Sequence, residues 1–246
     1  MRLRTTKVFV DSRYAVMGTS GSSILFEIPG GVELGPNARC FVSEFTCVCA
    51  WSTLDETNRY QTVILGNGAI YVIALPAGSY DLDSFADALQ TAMVQELGSG
   101  YVVERTGLGS TGSTLSLLRV SHPSANFMLV DSPLSKIVSF PQVSSNSHTS
   151  GFVDLRRVHN IFVHSPSFGN YNTVSPNGSR TALCKIPVEV GYGGLVRWST
   201  GGSSFDYIEC GVRSLHLLRL ELRDADSNLL ELAGTAFTMT LLFSEQ

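Results

Sequence analysis

Apolar and polar residues alternate along much of this chain, and the clearest example is Ala236–Phe243. From Phe237 onward every second residue there is large and apolar, with Thr238 and Thr240 in between. A period of two is typical of a strand that buries one face. Similar runs bounded by Gly, Pro, Asn, Asp and Ser predict further strands. The predicted strands are Lys7–Asp11, Ser23–Ile28, Arg39–Ala50, Gln61–Leu65, Ala69–Leu75, Tyr101–Arg105, Thr114–Val120, Phe127–Val130, Val153–His164, Ala182–Val190, Gly194–Ser199, Ser204–Cys210, Val212–Arg223 and Ala236–Phe243.

One segment has the period of a helix instead. Apolar residues from Leu82 to Leu97 recur at helical spacing. Asp81 is placed to cap the first turn, and Gly98 is placed to end the helix. A shorter helical turn is expected over Ser132–Val138, and long loops are expected near residues 143–151 and 166–180.

Many short strands, long loops and one helix predict an all-β fold. We expect a single jelly-roll β-sandwich with one flanking α-helix, because the length suits one jelly roll and not two. The whole chain, residues 1–246, is predicted to be one domain with a short basic arm over residues 1–7.

The composition limits how such a domain meets its surroundings. Charged residues make up only 15% of the chain, against about 25% in typical soluble domains. So few charges indicate that partner subunits cover part of the surface. The net charge of −4 argues against a protein that coats nucleic acid.

No segment indicates a signal peptide or a membrane span. Gln61–Tyr80 is uncharged, but turn residues at Gly66-Asn67-Gly68 and Pro76-Ala77-Gly78 predict a hairpin there. The five cysteines form no CxxC pair and are expected to be buried apolar thiols in a reducing compartment. The other interpretation of Cys47 and Cys49, half of a zinc site, finds no matching pair later in the chain.

No motif in the chain indicates catalysis or a cofactor. Residues 107–112 match GxGxxG, but a predicted strand follows them where a dinucleotide site needs a helix. The five histidines lack metal-ligand spacing and are expected to be structural or on the surface. We therefore expect no enzyme, no cofactor and no metal. Arg2, Arg4 and Lys7 form the basic arm, either a solvated terminus or a contact with a neighbouring subunit or packaged nucleic acid.

Four segments, in order, resemble a viral protein family. Gly68–Met93 resembles the strand, LPxGxY turn and helix of minor capsid proteins. Val153–Pro166 is similar to the strand that leads into IxVHS in that family, and Thr181–Trp198 to its IPV strand and Gly turn. Leu215–Phe243 resembles its C-terminal strands and the turn between them. The family is the penton, or vertex, capsid protein of the polinton, virophage and adenovirus-like lineage.

The resemblance implies a structural virion protein. Members are single jelly rolls that form pentamers at the five-fold vertices of an icosahedral capsid. The expected partners are four further copies, the neighbouring major capsid protein, and other minor capsid or spike proteins. The expected location is the virion, assembled inside the host cell. No Arg-Gly-Asp loop is present, so host attachment is not implied.

Two other functions stay open at the level of sequence. A receptor- or glycan-binding jelly roll would present Trp51, Tyr171, Tyr192 or Trp198, since aromatic rings near glycine turns suit sugar stacking. A cupin-like metal enzyme would need several histidines and a carboxylate that converge inside the barrel, and their spacing is missing here.

Overall fold

The computed structural model describes residues 4–106, 117–168, 173–200 and 206–245. Their contacts group into two compact units. The sandwich unit consists of the described residues up to Trp51 and from Val158 onward. The inserted unit is Ser52–Arg157. That the whole chain forms the one domain expected over residues 1–246 stays a prediction.

The described residues contain sixteen strands and one α-helix. In chain order, the elements are β1 (Arg4–Asp11), β2 (Met17–Ser20), β3 (Ser23–Glu33), β4 (Ala38–Val48), β5 (Tyr60–Leu65), β6 (Ile70–Ala74), α1 (Leu82–Leu97), β7 (Val102–Thr106), β8 (Leu117–Ser121), β9 (Phe127–Val130), β10 (Ser147–Thr149), β11 (Asn160–His164), β12 (Ala182–Pro187), β13 (Leu195–Ser199), β14 (Ile208–Glu209), β15 (Ser214–Arg223) and β16 (Phe237–Glu245). Short 3-10 helices lie at Ser12–Tyr14, Pro133–Lys136 and Pro166–Phe168.

The sandwich unit consists of two antiparallel sheets. The first has the order β1-β16-β4-β13, with β14 also pairing with β4. The second has the order β12-β11-β15-β3-β2. Without the short strands β2 and β14, four strands remain in each sheet, in the order of an eight-stranded jelly roll. The all-β jelly-roll fold with one α-helix is thereby confirmed.

A single apolar core holds these two sheets together. The alternation of β16 places Phe237 against Phe45 of β4, with ring centroids 6.0 Å apart. From the second sheet, Leu218, Leu220 and Leu222 of β15 are all buried in the same core. Because β16 lies between β1 and β4, its inward residues pack beside the buried residues of both neighbouring strands in that core.

The inserted unit has its own core. Two three-stranded sheets, β10-β8-β7 and β6-β5-β9, surround apolar residues that include Phe85 and Leu89 of α1. The caps of α1 confirm the sequence prediction. The Asp81 side chain accepts a hydrogen bond from the Ser84 N–H at 2.8 Å, and Gly98 ends the helix with a φ of +95°.

Several predicted boundaries differ from the observed ones. The predicted strand Val153–His164 begins only at Asn160, because Asp154 accepts a hydrogen bond from the Arg156 N–H at 3.0 Å, as in a turn. The expected loop over residues 143–151 contains β10, in which His148 pairs with Val120 of β8. These polar residues do not alternate, so nothing in their pattern indicated a strand. For the same reason β2 was not predicted.

The predicted core position of Leu218 can be tested against its neighbour Leu217. Leu218 is fully buried, whereas the Leu217 side chain is 50% exposed. We expect Leu218→Ala to lower the free energy of unfolding by about 2–5 kcal/mol through lost burial and a cavity. Leu217→Ala should cost about 1 kcal/mol or less. Urea denaturation of both variants measures the difference, and equal losses would contradict the assigned facing of β15.

Candidate functional site

The described part of the chain contains neither a cluster of metal-ligating side chains nor a candidate membrane-spanning helix. Among those residues, no group of three or more His, Cys, Asp and Glu side chains is placed to hold a metal ion. The same part of the chain has no helix that is both long and apolar enough to span a membrane. The GxGxxG residues 107–112 lie outside the described residues.

The buried histidines have structural partners. His148 Nε2 lies 2.9 Å from the Phe127 carbonyl oxygen, and His164 Nδ1 lies 2.9 Å from Thr181 Oγ1. Burial lowers the pKa of His164, and the nearby Arg223 guanidinium lowers it further, while Glu221 opposes the shift. His164 is therefore held neutral in the second sheet of the sandwich.

All five cysteines are free thiols. Cys47 and Cys49 lie in the apolar core of the sandwich unit, as the alternation of β4 predicted. Burial raises the pKa of Cys47 to about 12, so this thiol stays protonated and is a poor metal ligand.

The predicted basic arm belongs largely to a strand. Arg2 lies outside the described residues, whereas Arg4 opens β1 opposite Glu245 and Lys7 pairs with Leu242. The expectation of an arm over residues 1–7 is thus corrected from Arg4 onward, because the chain there pairs with β16. Lys7 is exposed. A contact of these residues with other subunits or with nucleic acid stays a prediction.

The aromatic residues considered for glycan stacking differ in exposure. Trp51 is buried, and Trp198 packs against the core of the sandwich unit. Tyr192 is exposed, whereas Tyr171 lies outside the described residues. Two of the three described rings are thus used for packing in the fold.

The most distinctive surface of the sandwich unit is one that sequence analysis did not predict. Phe9, Tyr14, Val16 and Met17 are each between 55% and 74% exposed, and we name these four residues the edge surface. In β1, Val8 and Val10 occupy the core and Phe9 points outward between them. The signal in the sequence was the unbroken apolar run Val8-Phe9-Val10, in which alternation must leave one residue outside.

Phe9 and Met17 of the edge surface lie on strands at the ends of the two sheets, and Tyr14 and Val16 lie between those strands in the chain. Among the described strands, β1 is the last strand of the first sheet and β2 is the last strand of the second. Between them, the Arg13 guanidinium forms side-chain hydrogen bonds with Asp11, and these bonds lower the pKa of that carboxyl group. The two charges offset each other, so the edge surface is apolar and close to neutral.

Two shallow cavities adjoin the edge surface. One, of about 330 Å³, is lined by Phe9 together with Glu44, Thr46 and Thr240 on the outer face of the first sheet. The other, of about 300 Å³, is lined by residues that include Met17, Leu25 and Arg219 on the second sheet. Side chains of another molecule could therefore pack into these two cavities next to the edge surface.

A groove lies at the other end of the first sheet, along β13. This far-edge groove has a volume of about 390 Å³. Leu195 on its wall is partly exposed, and Glu189 and Arg197 supply one charge of each sign. The first sheet thus presents an apolar surface at one edge and a groove at the opposite edge.

The neutral state of His164 predicts how stability depends on pH. In the unfolded chain, His164 takes up a proton near the ordinary histidine pKa of about 6.5. In the folded chain, the lowered pKa means that His164 takes up this proton only at a lower pH. The free energy of unfolding should therefore fall as the pH drops below about 6.5. His164→Asn should reduce this slope, because the variant has no imidazole at this buried position to protonate on unfolding. Urea denaturation from about pH 5 to pH 7.5 measures the free energy of unfolding at each pH. Equal slopes in the wild type and in His164→Asn would contradict the neutral state of His164 in the folded chain.

Comparison with known proteins gives a likeness of structure. No protein-family model and no curated protein matches this sequence. Among solved structures, the selenomethionine-labelled mavirus penton protein superposes with a TM-score of 0.60 at 12% sequence identity. The match covers 98% of this chain and 100% of that one. The chain therefore has a penton-like fold, as the resemblance of its sequence segments implied.

Proposed function

We propose that this chain is a minor capsid subunit that assembles into pentamers at the five-fold vertices of an icosahedral capsid. The observation that carries the proposal is the likeness to the mavirus penton protein over nearly the full length of both chains. A likeness of that extent includes the inserted unit as well as the jelly roll, which is more than a shared sandwich core would give.

The edge surface supports a role in association. Four large apolar side chains close together in sequence, each more than half exposed, make a surface that is costly to leave in water. Unpaired edge strands in natural proteins are usually covered, charged or bulged, because they otherwise promote aggregation. Among the side chains of β1 that the structure describes, Lys7 carries the exposed charge beside Phe9. Cover by a second copy of the chain accounts for both features.

A closed ring requires two different patches on each subunit, since every interface joins one patch to its complement. Phe9 of the edge surface and the far-edge groove lie at opposite edges of the first sheet. In the proposed pentamer, the edge surface of one copy packs against the far-edge groove of the next. A stable interface of this kind buries about 2,000 Å² or more.

The mechanism under this proposal is association and involves no chemical step. The neighbouring major capsid protein is the second partner, with other minor capsid or spike proteins as further ones. The virion is then the place of function, reached after assembly inside the host cell. The low proportion of charged residues fits a chain whose surface is largely covered in the particle.

The proposal predicts the mass of the protein in solution. The purified chain should form a species near five times 26.6 kDa, measured by light scattering coupled to size exclusion. Phe9→Asp should weaken assembly at least ~30-fold, because a buried aromatic contact at an interface is worth about 2 kcal/mol or more. The circular dichroism spectrum of the variant should match that of the wild type.

A matched control is available in the inserted unit. Phe152 is 59% exposed, comparable to Phe9, and Phe152→Asp should leave the pentamer intact. A wild-type chain that stays monomeric at every concentration would refute self-assembly. A pentamer that survives Phe9→Asp would remove the edge surface from the interface while leaving the ring itself in place.

The vertex location has a separate test. Cryo-electron microscopy of particles that contain this chain should show its density around the five-fold axes. Density on the capsid faces instead, or density absent from the vertices, would identify another role in the capsid.

A further inference from the structure

Two of the five thiols lie next to each other in the sandwich unit. Cys40 of β4 pairs with Ile208 of β14, and Cys210 follows two residues later on the same inward face. The Cys210 N–H donates a hydrogen bond to the Ala38 carbonyl oxygen at 2.8 Å, which keeps the chain beside β4 after β14 ends. The side chains of Cys40 and Cys210 are both buried in the core of the sandwich unit.

The two thiols are not equivalent. The neighbouring Cys40 thiol lowers the pKa of Cys210, whereas the neighbouring Cys210 thiol and burial raise the pKa of Cys40. Cys210 is therefore the thiol that ionises first, and the thiolate is the nucleophilic form. Cys40, which is completely buried, keeps its proton until Cys210 has reacted.

Cys210 also has a route to solvent. It lines a cavity of about 360 Å³ with Arg39, Glu209 and Arg213 on the walls. Arg39 Nη2 lies 3.5 Å from Glu209 Oε1, so one guanidinium is partly neutralised and Arg213 adds a further positive charge. The walls therefore carry a net positive charge, which favours the approach of a small anionic disulfide such as oxidised glutathione.

We propose that Cys40 and Cys210 are a dithiol site that closes reversibly into an intramolecular disulfide when the protein meets a low-molecular-weight disulfide. The bond fastens the segment after β14 to β4, in the first sheet of the sandwich. This inference does not depend on the proposed capsid function, since it concerns two thiols within one chain.

The reaction proceeds by two thiol–disulfide exchanges. The Cys210 thiolate attacks one sulfur of oxidised glutathione, the glutathione S–S bond breaks, and one glutathione thiolate leaves. Cys40 then loses its proton and attacks Cys210 Sγ, which forms the Cys40–Cys210 bond and releases the second glutathione thiolate. The protein dithiol gives up two electrons, oxidised glutathione accepts them, and the two thiol protons end on two reduced glutathione molecules.

A disulfide between these positions should raise thermal stability. It closes a long loop of chain, and a long loop removes more conformational freedom from the unfolded state than a short one does. Because β14 has only two residues, the segment around it otherwise depends on a few backbone hydrogen bonds to β4. We expect the oxidised protein to melt about 4 °C or more above the reduced protein.

The test uses the full chain and oxidised glutathione. After incubation near pH 8, thiol titration of the denatured protein should fall from five thiols to three. Mass spectrometry of an unreduced digest should find one peptide pair linked through Cys40 and Cys210. Treatment with a dithiol reductant should restore all five thiols and the lower melting temperature.

Single variants separate the two steps. Cys40→Ser should stop after the first exchange and retain one glutathione on Cys210, whereas Cys210→Ser should keep its four thiols. Cys47→Ser replaces another core thiol and should still form the link, as a control for loss of packing. Five unreacted thiols in the wild type, or a link between any other two cysteines, would overturn the proposal without reliance on any variant.

Discussion

The whole sandwich depends on β16 burying one face while it pairs on both sides. Its alternating apolar residues are buried in the core, and its backbone hydrogen bonds pair it with β1 on one side and β4 on the other. An error of one residue in this register would turn Phe237 and its partners out to solvent and bring Thr238 and Thr240 inside. The alternation of β16 therefore determines the register of the strands that pair with it in the first sheet. The core on its inward face then determines which residues of β15 are buried in the second sheet.

The strand order of the jelly roll also allows an insertion between two strands that follow each other along the chain. β4 and β11 belong to different sheets, so the connection between them does not need to be a short hairpin. The inserted unit fills that connection and carries its own core around Phe85 and Leu89 of α1. Because each core is buried within its own unit, the registers of the jelly-roll strands do not rely on the inserted residues.

Sequence reasoning recovered the features that a local pattern determines. The alternation of β15 and β16, the helix α1 and its caps at Asp81 and Gly98 all follow from neighbours along the chain. The short strands β2 and β10 were not predicted, because a strand of three or four residues forms only through its pairing with β3 or β8 and shows no pattern of its own. The candidate site was missed for a related reason. Alternation shows that Phe9 lies outside the core, but only the strand order shows that β1 ends the sheet.

The strand order distinguishes the exposed apolar residues of the edge surface from ordinary exposed apolar side chains. A single outward Phe in a central strand would lie among the side chains of two neighbouring strands and need no other partner. Phe9 and Met17 lie instead where the two sheets end among the described strands, so backbone groups on that side have no partner strand there. Arg13 forms an ion pair with Asp11 at that point, which lowers the cost of covering this carboxylate with an apolar partner. Among the described residues, this edge thus combines an apolar surface with backbone groups that no further strand pairs, and the proposed association would cover both.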